Sequence, residues 1–349
     1  MAELKDFLNS KNIALYINGL PPVPTIDEAL FPTKKILGIE LEHAKGSKKR
    51  PVALKLSTFD VQAKLRALKA DVKIEKKEMP FFKEAVGLKE NDRRQIVQAL
   101  ASNNSNIVDM LMKEVFENYS VLVEGGLVQM KRMRTQLIQT GQINLTSDDG
   151  DVIVDYGIPS ENKETLSLTA RWSQTDTSDI VGDIKRWQKK FTDKGLSKPT
   201  RMLLTEKTWS YITSNAAIIK DLKTRSFGEV ILTDEDFVKF LKVKCDIEIA
   251  ILSGVYLDEK GVEQKYYKDN VVTLIPNGTL GNTVYGTTPE EFDSKYGSGK
   301  LDTSIVREAI AITTMVKEDP VGVDTKVSMI GMPSFDRIDE CFFATVSDE

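Results

Sequence analysis

The stretch from Asn106 to Thr140 constrains this chain more than any other. Val108, Leu111, Val115, Tyr119, Leu122, Met130, Met133 and Leu137 recur at alternating steps of three and four, with Gly126 between Leu122 and Met130. That spacing lines them up on one stripe of a helix with 3.6 residues per turn. It predicts a single helix over 106–140, capped by Ser105 or Asn106 and closed by Gly141. At about 1.5 Å per residue such a helix is a rod roughly 50 Å long. Globular helices average about 11–12 residues, so a rod of this length acts as a spine for other elements. Gly125-Gly126 is its flaw, because paired glycines in a helix interior invite a bend. A second reading of Gly126 is that it admits a close-packed neighbour.

Composition excludes more than it identifies. The chain has 349 residues, 41% hydrophobic and 29% charged, which suits a globular protein of one to three domains. No run of about 18 apolar residues is present, so no membrane span is expected. The first residues lack the basic start and apolar core of a signal peptide. Cys245 and Cys341 form no CxxC pair and read as buried thiols of a reducing compartment. The one histidine, His43, would have to carry any triad, His-metal cluster or His acid–base pair alone, and its setting beside a basic loop favours no chemistry. A net charge of −4 argues against a free-standing nucleic-acid binder. In Gly297-Ser298-Gly299-Lys300, Leu301 replaces the hydroxyl residue of a phosphate loop and Ser294 its first glycine. No HExxH, GxSxG or metal-spaced cluster occurs. No catalytic residue, cofactor or metal is therefore expected. An α/β enzyme built on dispersed carboxylates within 170–317 is the competing reading.

In chain order, residues 1–50 read as an arm, with a short helix near Leu4–Ser10 and then a passage whose prolines favour extended structure. Such an arm lies across a neighbour or stays disordered. Residues 57–82 alternate and read as a two-stranded ribbon with its tip at Leu68, Lys69, Ala70 and Asp71. A helix through Gln62–Ala70 is the alternative. Residues 83–102 read as helical. Ile143–Leu145 and Val152–Tyr156 read as a hairpin around Asp149-Gly150. From about 170 helices and strands alternate: a helix over Asp179–Lys190, a strand Arg201–Leu204, helices begun by Thr205, Asn215 and Thr233, and strands Ile247–Leu252 and Val271–Ile275. Asp234, Glu235 and Asp236 read as first-turn capping groups. A hairpin is expected over 255–266. Val306–Val316, Lys326–Pro333 and Cys341–Val346 are the closing strands.

This order resembles that of a tailed-phage major capsid protein of the phage lambda capsid protein E family. Val154-Asp155-Tyr156-Gly157, Ala170-Arg171-Trp172-Ser173 and Asp179–Asp183 resemble the family's passage from its peripheral hairpin into its axial domain. Leu280-Gly281-Asn282-Thr283-Val284-Tyr285-Gly286 and Met329-Ile330-Gly331-Met332-Pro333 resemble its later segments. The motifs cover about residues 150–349. The resemblance implies an α+β fold of the tailed-phage/herpesvirus capsid type. Its parts would be an N-terminal arm (1–50), an extended two-stranded loop (51–85), a peripheral domain with the spine helix (86–165 and 318–349) and an axial α/β domain (166–317). It implies a structural protein of the virion that forms hexamers and pentamers of an icosahedral shell around double-stranded DNA, assembled in the host cytoplasm. Implied partners are copies of itself, a scaffold or protease, a portal, a decoration protein, and DNA through weak non-specific contact. An encapsulin-like nanocompartment shares the fold and is the alternative. Gly125 and Gly126 are the expected hinge, and Leu68–Asp71 the expected inter-subunit tip.

Overall fold

Three ladders converge on one strand, Gly322–Pro333. The structure, a computed structural model, describes residues 8–21, 24–45, 73–101, 105–146, 151–224, 231–317 and 321–348. Val323 to Ile330 pair antiparallel with Leu88 to Phe81, and Gly322 to Ser328 pair with Lys317 to Ala311. Gly331 to Pro333 pair with Tyr285 to Thr283. Asp302–Val306 extends the sheet beside Ile310–Lys317, and Thr33–Lys35 adds in parallel to Thr283–Tyr285. This sheet is the core of the first of two compact units, which draws on Met1–Glu42, Lys76–Arg134 and Gly281–Ser334.

The long helix runs Ser105–Thr140 without a break. Its buried stripe includes Val108, Met112, Tyr119, Val123, Met130 and Met133, at the period the sequence gives. Gly141 ends it with φ +66° and donates to Leu137 O at 2.9 Å. A Cβ at Gly141 would lie 2.4 Å from Ile158, so glycine is required by backbone and by space alike. Residues up to Arg134 belong to the first unit and those from Thr135 to the second.

The N-terminal residues differ from the expected free arm. Ser10–Gly19 is a helix, with Asn9 capping Asn12 N at 2.8 Å. Ser10 bonds Asp302 and Ser304, and Arg307 holds the carbonyls of Ile17 and Leu20. Farther on, Arg134 of the long helix donates to Asp27 at 2.6 Å, with both side chains about 5% exposed. The prolines halt the helix, but the segment after them finds partners within its own unit.

Three other expectations change. Residues 81–88 are a strand, and the helix begins only at Glu90. The strand's backbone partners lie in Gly322–Pro333, which local periodicity cannot reveal. Lys73–Glu78 is a strand as the ribbon reading requires, but its partner is Glu40–Lys45. The first arm of the ribbon and the tip residues Leu68, Lys69, Ala70 and Asp71 lie outside the described residues. The single strand over 306–316 is a hairpin of Asp302–Val306 and Ile310–Lys317, turned by Arg307 and Glu308 at positive φ. A helix at Pro289–Tyr296 joins the elements read from sequence, capped by Thr288 with proline in its first turn.

The second unit draws on His43–Glu75, Thr135–Leu280 and Phe335–Glu349. Its sheet runs Lys163–Thr165, Phe342–Thr345, Val271–Ile275, Arg201–Leu204, Glu248–Ile251. Helices Ile180–Asp193, Glu206–Thr213, Ala216–Thr224 and Asp234–Cys245 accompany it. Trp187 stacks between Trp172 and Phe342, at ring distances of 5.8 and 5.1 Å. The last turn of the long helix is anchored here, since Gln139 donates to Tyr266 O at 2.7 Å and accepts from Lys268 N. The expected axial domain took in residues 281–317, whereas the ladders join 302–317 to 322–333 in the first unit and put Phe342–Thr345 in the second.

Arg134→Ala leaves Asp27 buried without its partner, which costs about 3–5 kcal/mol. Asp27→Leu with Arg134→Met should recover most of that loss. Urea unfolding of the two variants and the parent checks both outcomes.

Candidate assembly surface

The titratable side chains that sequence alone offers as chemistry serve as struts. Asp236 accepts from Thr233 N at 2.9 Å and Thr233 Oγ1 at 2.8 Å, forming the capping box. The Thr233 backbone N–H holds its carboxyl below the usual range. Asp234 accepts from Trp209 Nε1 at 3.1 Å. Cys245 and Cys341 are free and buried, and burial pushes both thiols up, away from the reactive range.

Gly297-Ser298-Gly299-Lys300 follows a helix and precedes a strand, the reverse of a phosphate loop. Asp293 accepts from Ser298 N and Ser298 Oγ, so the segment works as a helix terminus. Among the described residues no group of three or more His, Cys, Asp and Glu is placed to hold a metal. Among the same residues no helix is long and apolar enough to cross a membrane. An open recess of about 580 Å³ beside Gly87, Leu88, Glu90 and Val321 holds the Lys317–Asp324 ion pair.

Two buried carboxylates lock the Pro289–Tyr296 helix to its unit. Glu290 accepts from Lys326 and from Ser328 Oγ at 2.8 Å. Glu291 accepts from Lys35 at 2.7 Å and Lys295 at 2.8 Å. Burial alone would raise both carboxyls. Lys326 with the Ser328 hydroxyl at Glu290, and Lys295 with Lys35 at Glu291, outweigh it and hold both below the usual range.

The proposed hinge is fully on view. Gly125 is exposed, and a Cβ built on it meets nothing within 4 Å. A Cβ on Gly126 would rest 3.7 Å from Ile310 Cδ1 and Met329 Sδ, which is ordinary contact. Neither glycine is demanded by space or by positive φ. The close-packed-neighbour reading of Gly126 therefore loses its physical basis.

What the struts, ladders and spine helix amount to is settled by comparison. The family profile of the phage major capsid protein E matches residues 16–346. The chain belongs to the phage major capsid protein E family. A comparison with curated proteins returns no match. Among solved structures, a chain from E. coli CFT073 described as a prophage capsid protein is similar at TM-score 0.62 and 12% identity, covering 97% of this chain and 99% of that one. A phage-related protein from Bordetella bronchiseptica RB50 is similar at TM-score 0.53 and 11% identity, with 96% of each chain covered. The capsid of cyanophage P-SCSP1u gives TM-score 0.43 at 12% identity, over 95% and 91%. The fold is that of a tailed-phage major capsid protein, mixed in helix and sheet, and the protein is a capsid component of the virion. In such a protein the site is a surface that meets other copies. Neither the N-terminal docking nor the Pro289–Tyr296 helix was drawn from sequence, although the Thr288-Pro289 start carried a signal.

Gly126→Ala should stabilise the capsid protein by about 0.5–1 kcal/mol, because alanine removes the glycine helix penalty where space permits. Gly182→Ala should destabilise it, since a Cβ there would fall 2.1 Å from Asp179 Oδ2. Thermal melts of both variants decide this. Stability supplied by Glu290 and Glu291 is present above the unfolded glutamate pKa and is lost as pH falls through the depressed folded values. Glu290→Gln with Glu291→Gln should therefore flatten the loss of stability between neutral and acid pH, read from urea midpoints.

Proposed function

We propose that this capsid protein assembles into hexamers and pentamers of an icosahedral shell around double-stranded DNA, in the host cytoplasm, with a scaffold or protease, a portal and a decoration protein as partners. The observation that carries the reading is the family match from residue 16 to residue 346. In this reading the first unit is the peripheral domain and the second the axial domain. The negative net charge of −4 suits a wall that must not grip its genome, because each neutralised phosphate adds affinity through counterion release. The loop tip at Leu68–Asp71 is assigned to contact between subunits.

Gly125 and Gly126 are assigned as a hinge that bends the spine helix in the immature shell and straightens on expansion. Their freedom from steric need supports this assignment, since a pair kept for space would show close neighbours.

Expressed with its own scaffold, the chain should give closed shells or tubes in negative stain. A stable monomer at all concentrations in sedimentation velocity overturns the reading. Gly126→Ala should favour the straight helix by about 1 kcal/mol and so shift expansion to milder conditions. Procapsids of that variant that expand as the parent does would refute the hinge.

A further inference from the structure

The Pro289–Tyr296 helix turns two aromatic side chains into solvent. Phe292 and Tyr296 stand four residues apart with ring centroids 5.4 Å apart, and they are 53% and 62% exposed. Leu301 adds a third exposed apolar side chain just beyond the helix. The patch is stiff. Thr288 caps the helix, Glu290 and Glu291 bind its first turn to Lys326 and Lys35, and Asp293 closes its far end. Exposed single apolar residues are common, but a paired aromatic surface on a pre-organised helix has the make-up of an interface anchor. Lys300 beside it makes no ion pair among the described residues.

A second face of the same unit has complementary character. Ile107, Met110, Glu114, Glu117 and Val121 follow one another at steps of three and four on the long helix, opposite its buried stripe. Ile107, Met110 and Val121 are 43%, 63% and 62% exposed. Glu117 pairs only loosely with Lys113, at 3.8 Å, and Glu114 has no ion pair among the described residues. The first face therefore sets apolar surface beside Lys300, and the second sets it beside Glu114 and Glu117.

We propose that these faces bind each other between copies of the chain: the Phe292–Tyr296 patch of one copy seats on the Ile107–Val121 stripe of the next, with Lys300 against Glu114 and Glu117. The inference rests on the capsid reading above. Lys300 and the Glu114–Glu117 pair are opposite charges carried by every copy, which selects a second copy as the occupant and fixes register. Because the two faces differ, the contact is heterologous. Each copy offers one patch and one stripe, and such contacts close into rings or run on as filaments.

The parent chain and its variants are compared in the same assembly assay. Phe292→Ser with Tyr296→Ser should keep the fold, by circular dichroism and melting, and lower the particle yield roughly tenfold or more. Lys300→Glu should lower the yield, and Glu114→Lys added to it should restore it, a result independent of the aromatic variant's folding. Leu301→Cys with Met110→Cys should give, on mild oxidation, a ladder of trimers and larger species, whereas either cysteine alone gives none. Assembly unchanged in the aromatic variant, no restoration by the charge swap, or cross-linking that stops at dimers overturns the contact while leaving the capsid reading intact. A parent chain that never leaves the monomer overturns both.

Discussion

The first unit depends on the backbone of Gly322–Pro333. A strand hydrogen-bonded along both edges cannot shift register without breaking two ladders at once, so it fixes where every neighbour lies. The long helix is seated against it through a local absence of side chain. A Cβ at Gly331 would stand 2.4 Å from Met130 Cε and 2.8 Å from Tyr285 Cδ1, so glycine there lets helix and neighbouring strand approach together. The helix is well placed there because the sheet beside it is over-determined.

The two units are stabilised differently. In the first, buried charge does much of the fastening: Arg134 to Asp27, Glu291 to Lys35, Glu290 to Lys326. Each such pair joins segments remote in sequence, and each is costly to leave half-made. In the second, apolar packing around Trp172, Trp187 and Phe342 carries the core, and polar side chains are spent at helix starts, as at Thr205, Asn215 and Thr233. The first unit thus binds its N-terminal residues by specific ionic contacts, while the second is a conventional layered core.

What could be read from the sequence divides along the same line. The spine helix, the Arg201–Leu204 and Val271–Ile275 strands and the capped helices were legible because their signals are local: a 3.6 period, a short apolar run, a hydroxyl before a first turn. Phe81–Leu88 was not, because an eight-residue run of mixed character becomes a strand only when Gly322–Pro333 offers it a partner. Ser10–Gly19 was hidden by the prolines after it, although its own residues suit a helix. The glycine pair Gly125-Gly126 stands out from pattern alone. The aromatic patch could not, because sequence does not tell which of many aromatic residues stays in water.

Each sheet is completed by a strand that follows all its neighbours in chain order. Residues 322–333 hold the first sheet together, and Phe342–Thr345 lies inside the second. Before those residues leave the ribosome, Phe81–Leu88 and Lys163–Thr165 lack the strands they pair with, and contacts so distant in sequence form slowly even afterwards. A partly made chain therefore presents no finished surface to a completed one.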